Sequence, residues 1–503
     1  MLDACRHDGN TVILESTDTL RSDNQVLTLH QFLTVFLLSC CFAICDMAKP
    51  LGATNENGPA ITGPKPGEVY KEYKAVTGAW PKWAVIDPSL GHKTKEQYLS
   101  KTNKPSFIEL GNLDQAMRAE VLVDRWGGHV CTSDKMIRFN GHKWLLLPEL
   151  TTTPKDNHPE CYMSQDNPII EIPLSHLKEG TNSFSGKSGG QVSHNWGWGQ
   201  WGLYGIVLRV YYPSSFVTSP GEIVIPAAGD VVLDNPEIVF EAPDNSKIEK
   251  VDFLARYDGY DENGDGYFQD WHHFYHRIYH SEDELLADIP ITGHLGSATS
   301  PPFRITWNTQ WVPDQVKGGI SIVARVKEKN GFSYVTQLVE NLSLQRIGRS
   351  VKLYKPRSVP EDYQVRAKRI RSSEIYIPQN DNLETATKAL VHFRTWNGDD
   401  SNHEVDGVEW FKFNRWQGKI AGANHDYAYS IREIPVETIQ LGENKVSVYS
   451  EAGTLFDEES GERLNTHSIE VLWPGPALSV SYEHETVGVT ELSDRASGTV
   501  CGP

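Results

Sequence analysis

Residues 172–182 read Ile172-Pro-Leu-Ser-His-Leu-Lys-Glu-Gly-Thr-Asn182, and residues 434–444 read Ile434-Pro-Val-Glu-Thr-Ile-Gln-Leu-Gly-Glu-Asn444. The two stretches match at a constant offset of 262 residues, since 434 − 172 and 444 − 182 are equal. Each is preceded by a second matching stretch, Val121-Leu-Val-Asp-Arg-Trp126-Gly-Gly in the first half and Val391-His-Phe-Arg-Thr-Trp396-Asn-Gly in the second. This repeat predicts two related β-domains on either side of a different middle segment, and it argues against one large enzymatic barrel.

The composition favours an all-β protein. The chain has 503 residues, enough for about three domains. Aromatic residues make up 10% of it, together with 28 Pro and 41 Gly, which is typical of β-sandwiches with long loops. No window shows a sustained apolar period of about 3.6 residues, so helices are not expected to form the core.

The charge argues against a nucleic-acid partner. The chain carries 66 acidic and 47 basic residues, a net charge of −19. Binding to a phosphate backbone needs clustered Lys and Arg, which this balance does not favour. An acidic total suits an extracellular protein or one that collects divalent cations.

An apolar run near the start predicts secretion. Phe32–Cys45 is 14 residues long, which is too short to span a membrane comfortably and about right for a signal-peptide core within a leader over 1–48. The run begins late and follows an acidic stretch, and a misassigned start codon would explain both. Leu37-Leu-Ser-Cys40 loosely resembles a lipoprotein box, so a lipid anchor at the cell surface is the alternative. No later apolar run is long enough to form a transmembrane segment.

The cysteines and one sequon agree with an extracellular protein. Four of the seven Cys lie in or before the leader, which leaves Cys131, Cys161 and Cys501. A disulfide between Cys131 and Cys161 would close a loop of about 30 residues and stabilise the fold by roughly 3–4 kcal/mol in the loop-entropy model. Asn341-Leu-Ser343 is a glycosylation sequon if the source is eukaryotic.

Two resemblances organise the chain into domains. Ser297-Ala-Thr-Ser-Pro-Pro-Phe-Arg-Ile-Thr-Trp-Asn-Thr309 resembles the strand pair of bacterial-type Ig-like modules of large extracellular polysaccharide-processing proteins. Asn140-Gly141, followed by the 172–182 stretch, resembles galactose-binding-like jelly rolls, which occur as sugar-binding or accessory modules of glycoside hydrolases and lyases. The resemblance implies a linker over 49–66, a jelly roll over 67–213, an Ig-like domain over 218–348, a second jelly roll over 349–485 and a tail over 486–503.

An acidic segment in the middle region is a candidate calcium site. Asp261-x-Asn263-x-Asp265-Gly matches the opening half of an EF-hand loop, in which oxygen ligands alternate and Gly makes the turn. The twelfth position holds His where a bidentate acid is needed, so Asp258 or Asp270 would supply the missing oxygen. The alternative interpretation is an acidic Gly/Asn turn between two Ig strands. We expect calcium as a structural cofactor.

A tryptophan-rich segment is a candidate sugar platform. Asn195-Trp196-Gly-Trp198-Gly-Gln-Trp201 places three indoles close together with Gly between them. A flat indole on a loop can stack on a sugar ring while Asn195 reads hydroxyl groups. The alternative is that these rings cap the sandwich or fill a seam between domains. The second half has no such cluster at the matching place, so the two repeats are not expected to share one ligand site.

No catalytic motif decides the activity. The sequence lacks a G-x-S-x-G elbow, an H-E-x-x-H zinc motif, a P-loop and a G-x-G-x-x-G unit. We therefore predict a secreted protein that binds an extracellular polysaccharide or glycan. Two alternatives stay open: a polysaccharide lyase or glycoside hydrolase, and an acidic calcium-binding structural protein of an extracellular matrix.

Overall fold

The computed structural model describes residues 63–76, 84–86, 105–127, 134–148, 165–187, 201–260, 274–276, 287–289, 294–360, 363–365, 369–397, 409–419, 426–450, 469–472 and 474–484. Over these residues the chain forms strands and short 3-10 helices and no α-helix. The predicted all-β fold is therefore confirmed. No helix in these ranges is long and apolar enough to cross a membrane.

The first sandwich has two antiparallel sheets that enclose one apolar core. Its strands are β1 (Val69–Val76), β2 (Ala84–Ile86), β3 (Ser106–Leu110), β4 (Arg118–Trp126), β5 (Met136–Phe139), β6 (Leu145–Leu146), β7 (Gln165–Asp166), β8 (Ile169–Ile172), β9 (Gly180–Lys187) and β10 (Trp201–Tyr212), with 3-10 helices at Leu113–Gln115 and Leu174–His176. In the larger sheet β10 lies between β1 and β4, β2 extends along β10, and β7 and β8 pair with β4. The smaller sheet has the order β3-β9-β5-β6.

Local sequence explains two of these elements. Strand β10 is buried along its whole length because β1 and β4 flank it and both of its faces are covered, and its sequence is accordingly almost continuously apolar. Asn140 and Gly141 both have positive φ, as a type I′ hairpin turn requires, and the His142 N–H donates to the Phe139 carbonyl at 2.9 Å. The Asn-Gly pair therefore joins β5 to β6.

The middle region contributes a small sheet and extends the large one. Its strands are β11 (Glu222–Ile225), β12 (Val231–Val232), β13 (Glu237–Glu241), β14 (Ile248–Arg256), β15 (Phe274–His276), β16 (Ala287–Ile289), β17 (His294–Ala298), β18 (Arg304–Thr306), β19 (Gln315–Glu328), β20 (Ser333–Val335) and β21 (Val339–Leu344), with 3-10 helices at Ser214–Phe216 and Asn245–Lys247. The small sheet has the order β11-β13-β18, while β15 pairs with β16 alone. Strand β20 pairs with β1, so one 12-stranded sheet runs from the first sandwich into the middle region. This continuity is not part of the sequence prediction.

The second sandwich has the same strand order as the first. Its strands are β22 (Arg349–Tyr354), β23 (Pro356–Ser358), β24 (Gln364–Val365), β25 (Ile370–Ile377), β26 (Ala386–Asn397), β27 (Glu409–Phe413), β28 (Trp416–Lys419), β29 (Asp426–Ile434), β30 (Gly442–Ser450), β31 (Ile469–Val471) and β32 (Ala477–Glu483), with 3-10 helices at Leu383–Thr385 and Val436–Thr438. The order β22-β32-β26-β29 matches β1-β10-β4-β8, and β25-β30-β27-β28 matches β3-β9-β5-β6. A separate apolar core fills this sandwich.

The two stretches that match in sequence have the same local structure. Asn182 is fully buried; its amide nitrogen donates to the Lys178 carbonyl at 2.7 Å, and its side-chain oxygen accepts from the Lys178 N–H at 2.9 Å. Asn444 is fully buried and makes the same two bonds to Gln440, at 2.7 and 2.9 Å. Two residues before each asparagine lies a glycine, Gly180 or Gly442, with positive φ. Residues with a side chain rarely adopt this backbone conformation.

A second asparagine completes this arrangement in each sandwich. The Asn140 amide donates to the Asn182 side-chain oxygen at 2.7 Å, and the Asn414 amide donates to the Asn444 side-chain oxygen at 2.9 Å. Asn140 and Asn414 have φ values of 48° and 52° at the turn of the corresponding hairpin. In both sandwiches a pair of asparagine side chains thus satisfies buried backbone groups that have no partner in a neighbouring strand.

A buried charged cluster lies where the first sandwich meets the middle region. Arg209 Nε lies 2.8 Å from Glu72 Oε1, and Arg209 Nη1 lies 3.1 Å from Glu120 Oε1. Arg325 forms an ion pair with the same Glu72 carboxylate, and its Nε donates to the Tyr70 hydroxyl at 2.9 Å. Burial alone would raise the pKa of Glu72, but the guanidinium groups of Arg325 and Arg209 outweigh it and hold the pKa well below its usual range.

A histidine lies where the middle region meets the second sandwich. His392 is fully buried, and its ring stacks on that of Tyr260, with centroids 5.4 Å apart, and lies 5.6 Å from that of Trp311. Its Nε2 is 2.7 Å from Ser479 Oγ. Burial lowers the pKa of His392 to about 3, so the imidazole is neutral near neutral pH.

The middle region also reaches the edge of the second sandwich. The Asp314 N–H donates to the Val351 carbonyl at 3.0 Å, and the Val351 N–H donates to the Asp314 carboxylate at 3.2 Å. Arg346 forms ion pairs with Asp314 and, at 2.8 Å, with Asp234. Because β22 corresponds to β1, the middle region covers the same edge strand of both sandwiches, with β20 in one case and a loop in the other.

Candidate functional site

The outer face of the sheet β3-β9-β5-β6 is the candidate functional site. Side chains alternate along these strands, so that Ile108 and Leu110 enter the core while Phe107, directly before Ile108, is 60% exposed. Cross-strand register places Phe107 opposite Ser183 and Arg138 opposite Ser185. The result is a face with small hydroxyl side chains in its middle and larger groups toward both borders.

An arginine, a tryptophan and a lysine meet at one border of this face. The Arg138 guanidinium carbon lies 4.3 Å from the centroid of the half-buried Trp144 ring, and Lys187 Nζ lies 5.9 Å from it. Both distances are in the range of a cation–π interaction. We call these three residues the Trp144 cluster. Phe107 on β3 and Trp144 beside β6 are three strand spacings apart, about 14 Å across the sheet.

The two cations of the Trp144 cluster have no acidic partner among the described residues. Two buried arginines of the described core, Arg209 and Arg325, form ion pairs. Neither Arg138 nor Lys187 forms an ion pair with a carboxylate in the described ranges, although the chain carries a net charge of −19.

The same face of the second sandwich has a different composition. Strand register makes the following residues equivalent in the first and second sandwich: Phe107 and Glu374, Ser183 and Lys445, Arg138 and Lys412, Trp144 and Gln417, and Lys187 and Tyr449. Glu374 lies directly opposite Lys445 there, so charges of both signs alternate where the first face has Phe and Ser. The candidate site thus belongs to the first sandwich alone.

The predicted sugar platform is corrected at one residue. Trp201 is fully buried in the core of the first sandwich, and its indole N–H donates to the Lys187 carbonyl at 3.2 Å. As the first residue of the central strand β10, it is covered on both sides and offers no ring face to a sugar. Asn195, Trp196 and Trp198 lie outside the described residues. They belong to the segment that starts directly after Lys187 of the Trp144 cluster.

Of the five residues of the predicted calcium site, only Asp258 lies within the described residues. Asp258 is exposed, and its carboxylate lies 3.3 Å from Lys355 Nζ. Gln315 fixes the backbone of Asp258 by one bond to its N–H, at 2.8 Å, and one to its carbonyl, at 2.7 Å. Asp261, Asn263, Asp265 and Asp270 lie outside the described residues. Among the described residues no group of three His, Cys, Asp or Glu could hold a metal ion.

Of the remaining predicted sites, the glycosylation sequon lies within the described residues and the others lie outside them. Asn341 is exposed on β21 in a left-handed conformation with φ of 62°, whereas Ser343 of the sequon is buried. Cys131 and Cys161, the leader over 1–48 and the tail over 486–503 lie outside the described residues.

The sequence prediction missed Trp144, although the signal for it was present. Asn140-Gly141 marks a two-residue hairpin turn, and the alternation of buried Ile137 and Phe139 assigns Arg138 to the outer face. Pairing across that turn brings Trp144 beside Arg138.

The comparisons with known proteins give weak likenesses only. No family model and no curated protein matches the chain. Wild-type BuGH86 in complex with neoagarooctaose matches at 9% identity with a TM-score of 0.18, over 49% of this chain and 32% of that one. The β-porphyranase of glycoside hydrolase family 86 from the human gut bacterium Bacteroides plebeius matches at 11% identity with a TM-score of 0.16, over 47% and 34%.

The fibronectin(III)-like modules of Clostridium thermocellum CbhA match at 12% identity with a TM-score of 0.14, over 50% of this chain and 93% of that one. The chain therefore spans about a third of the length of the two glycoside hydrolase structures. At these TM-scores the likenesses carry no argument about activity.

Proposed function

We propose that this is a secreted glycan-binding protein and that the outer face of the first sandwich is its binding surface. In this proposal two jelly-roll sandwiches flank an Ig-like middle region, and only the first one carries a site. The observation that supports it is the pairing of Trp144 with Arg138 beside a row of serines, with exposed Phe107 at the opposite border. Aromatic faces stack on the apolar C–H face of a sugar ring, and nearby polar groups read its hydroxyls.

A structural role for the Trp144 cluster is the competing interpretation. An arginine that covers an indole also shields that ring from water, and such pairs contribute only about 0.5–1 kcal/mol at exposed sites. The exposed Phe107 favours binding over this interpretation, because its aromatic ring is mostly open to solvent and not packed into the core. An isolated exposed apolar residue alone would not decide the matter.

Binding measurements on the full chain test the proposal. A polysaccharide array followed by isothermal titration calorimetry should find a saturable glycan ligand that is not turned over. Trp144→Ala should weaken binding by about 1–3 kcal/mol, the scale of losing a large aromatic contact at a binding centre, and Phe107→Ala should weaken it less. The matched control is Gln417→Ala at the equivalent place of the second sandwich, which should leave affinity unchanged. Equal affinity of Trp144→Ala and the unmodified protein would refute this surface.

Two further parts of the proposal concern residues beyond the described ranges. Asn195, Trp196 and Trp198 would extend the surface from the end of β9, so Trp198→Ala should also weaken binding. Calcium would act as a structural cofactor between Asp258 and Asp270 and would stabilise the folded state by preferential binding. A melting temperature that does not respond to calcium or to a chelator would remove calcium from the proposal.

A further inference from the structure

We infer that the glycan bound at the Trp144 cluster is anionic and carries sulfate or carboxylate groups, an inference that rests on the proposed function. Its basis is that both Arg138 and Lys187 lie close to one indole ring, at 4.3 and 5.9 Å from the centroid of Trp144. A neutral glycan needs an aromatic platform and hydroxyl-reading groups, but it does not need two positive charges next to that platform. A sugar that carries an oxyanion beside its ring binds better where positive charges lie next to the platform.

The donors of Arg138 are free to bind such a group. The contact with Trp144 involves the positive charge and uses none of the five N–H groups. No hydrogen bond among the described residues uses a guanidinium N–H of Arg138, and Arg138 stays half-buried in this position. A guanidinium held against a ring loses little freedom when it forms a bidentate pair with a sulfate or carboxylate, which is the geometry that its fork matches.

The acidic residue of β3, Glu109, lies away from the cluster. Glu109 is on the outer face of β3, where it accepts a hydrogen bond from the Thr181 hydroxyl. Thr181 is four residues from Ser185, the partner of Arg138, which corresponds to about 13 Å along the strand. Ahead of β5, Asp134 is exposed, whereas the neighbouring Lys135 is buried. Within the described part of the chain, the cluster itself is therefore positive on a protein of net charge −19.

The equivalent face of the second sandwich lacks this arrangement. Its Lys412 occupies the place of Arg138, but Gln417 stands in place of Trp144 and Tyr449 in place of Lys187. The cation Lys412 alone, without a neighbouring Trp and a second cation, therefore does not form an equivalent of the Trp144 cluster. This difference supplies the matched control for a charge effect.

Two pairs of ligands distinguish the effect of the ligand's charge from the effect of its sugar ring. A sulfated galactan is compared with its chemically desulfated form, and an oligogalacturonate with its methyl ester, by titration calorimetry at two salt concentrations. The variants are Arg138→Gln, Lys187→Gln and the control Lys412→Gln, which changes the net charge of the chain by the same amount. We expect binding of at least one anionic ligand over its neutral form, a loss of about tenfold or more in Arg138→Gln, and no loss in Lys412→Gln.

The outcomes distinguish this inference from the proposed function. Preference for the sulfated galactan alone, or for the galacturonate alone, supports the inference and identifies the source of the oxyanion. Equal binding of a neutral ligand and its anionic form, lost in Trp144→Ala but unaffected by Arg138→Gln, overturns the inference and leaves the proposed function intact. Equal losses in Arg138→Gln and Lys412→Gln would mean a general charge effect and would also overturn it. Absence of binding to any glycan overturns both.

Discussion

The two sandwiches share the groups that hold them together and differ in the groups that they present to other surfaces. Asn182 and Asn444 make the same hydrogen bonds at the same place in the fold. Strand register makes the following residues equivalent on the face that meets the middle region: Glu72 and Leu353, Glu120 and Leu390, Leu122 and His392, and Arg209 and Ser479. The first sandwich therefore meets the middle region with buried ion pairs, and the second meets it with stacked rings and one imidazole.

This difference indicates where specificity lies in the chain. Positions that satisfy buried backbone groups are the same in both halves, because the backbone imposes one solution. At positions that contact another surface, the residue type depends on that surface and therefore differs between the two halves. If the proposed function is correct, Trp144 and Gln417 differ for the same reason that Arg209 and Ser479 do, and the repeat then predicts the architecture and not the site.

The largest expected difference between the sandwiches comes from Arg209. Arg209→Met removes one cation from the cluster and leaves the Glu72 and Glu120 carboxylates buried with fewer partners, which should lower the free energy of unfolding by about 3–5 kcal/mol. Ser479→Ala at the equivalent place should lower it by about 1 kcal/mol or less. Urea unfolding followed by tryptophan fluorescence measures both. Similar small losses in the two variants would mean that the first junction does not depend on its charges.

The second prediction tests the feature that the sandwiches share. Asn182→Ala and Asn444→Ala should each lower the free energy of unfolding by about 2–4 kcal/mol, because each leaves several buried backbone groups without a partner. The exposed neighbours at equivalent positions, Thr181→Ala and Glu443→Ala, serve as controls and should change it by about 0.5 kcal/mol or less. A large loss in one asparagine variant and none in the other would break the equivalence of the two sandwiches.

The sequence was sufficient to predict the all-β fold and the matching local structure at Asn182 and Asn444. Both depend on local rules, namely alternation along strands and glycine before a buried asparagine. The continuous sheet through β1 and β20 could not be predicted, because Val69 and Tyr334 are far apart in the chain and nothing in either strand specifies the partner. Pairing of distant edge strands is decided by tertiary packing.

The candidate site was predicted less well than the fold. Trp201 shares the Gly-spaced pattern of Trp196 and Trp198, and the pattern does not indicate that the strand β10 begins at Trp201 and buries it. Trp144 was missed because its role depends on cross-strand contact with Arg138. Side chains that act together across strands are not close in sequence, so a search for compact motifs passes over them.

The smallest of the three effects concerns His392 and appears as a pH dependence. Burial lowers the pKa of His392 from about 6.5 to about 3 in the folded protein, so between these values the unfolded chain binds one more proton than the folded one. Stability is therefore fully present above about pH 6.5 and is lost as the pH falls, by about 1.4 kcal/mol per unit and about 2 kcal/mol by pH 5. His392→Leu, which introduces the residue found at the equivalent Leu122, should remove this part of the slope.

A second histidine provides the control for this measurement. Burial and the neighbouring His142 also lower the pKa of His176, but His176 is only half-buried at the surface of the first sandwich, so His176→Thr, the residue at the equivalent Thr438, should change the slope less than His392→Leu does. Urea unfolding at pH 7, 6 and 5 gives the slope for each variant. An unchanged slope in His392→Leu would show that His392 is already protonated in the folded protein or reaches solvent, and the contrast between a charged junction and a neutral one would then fail.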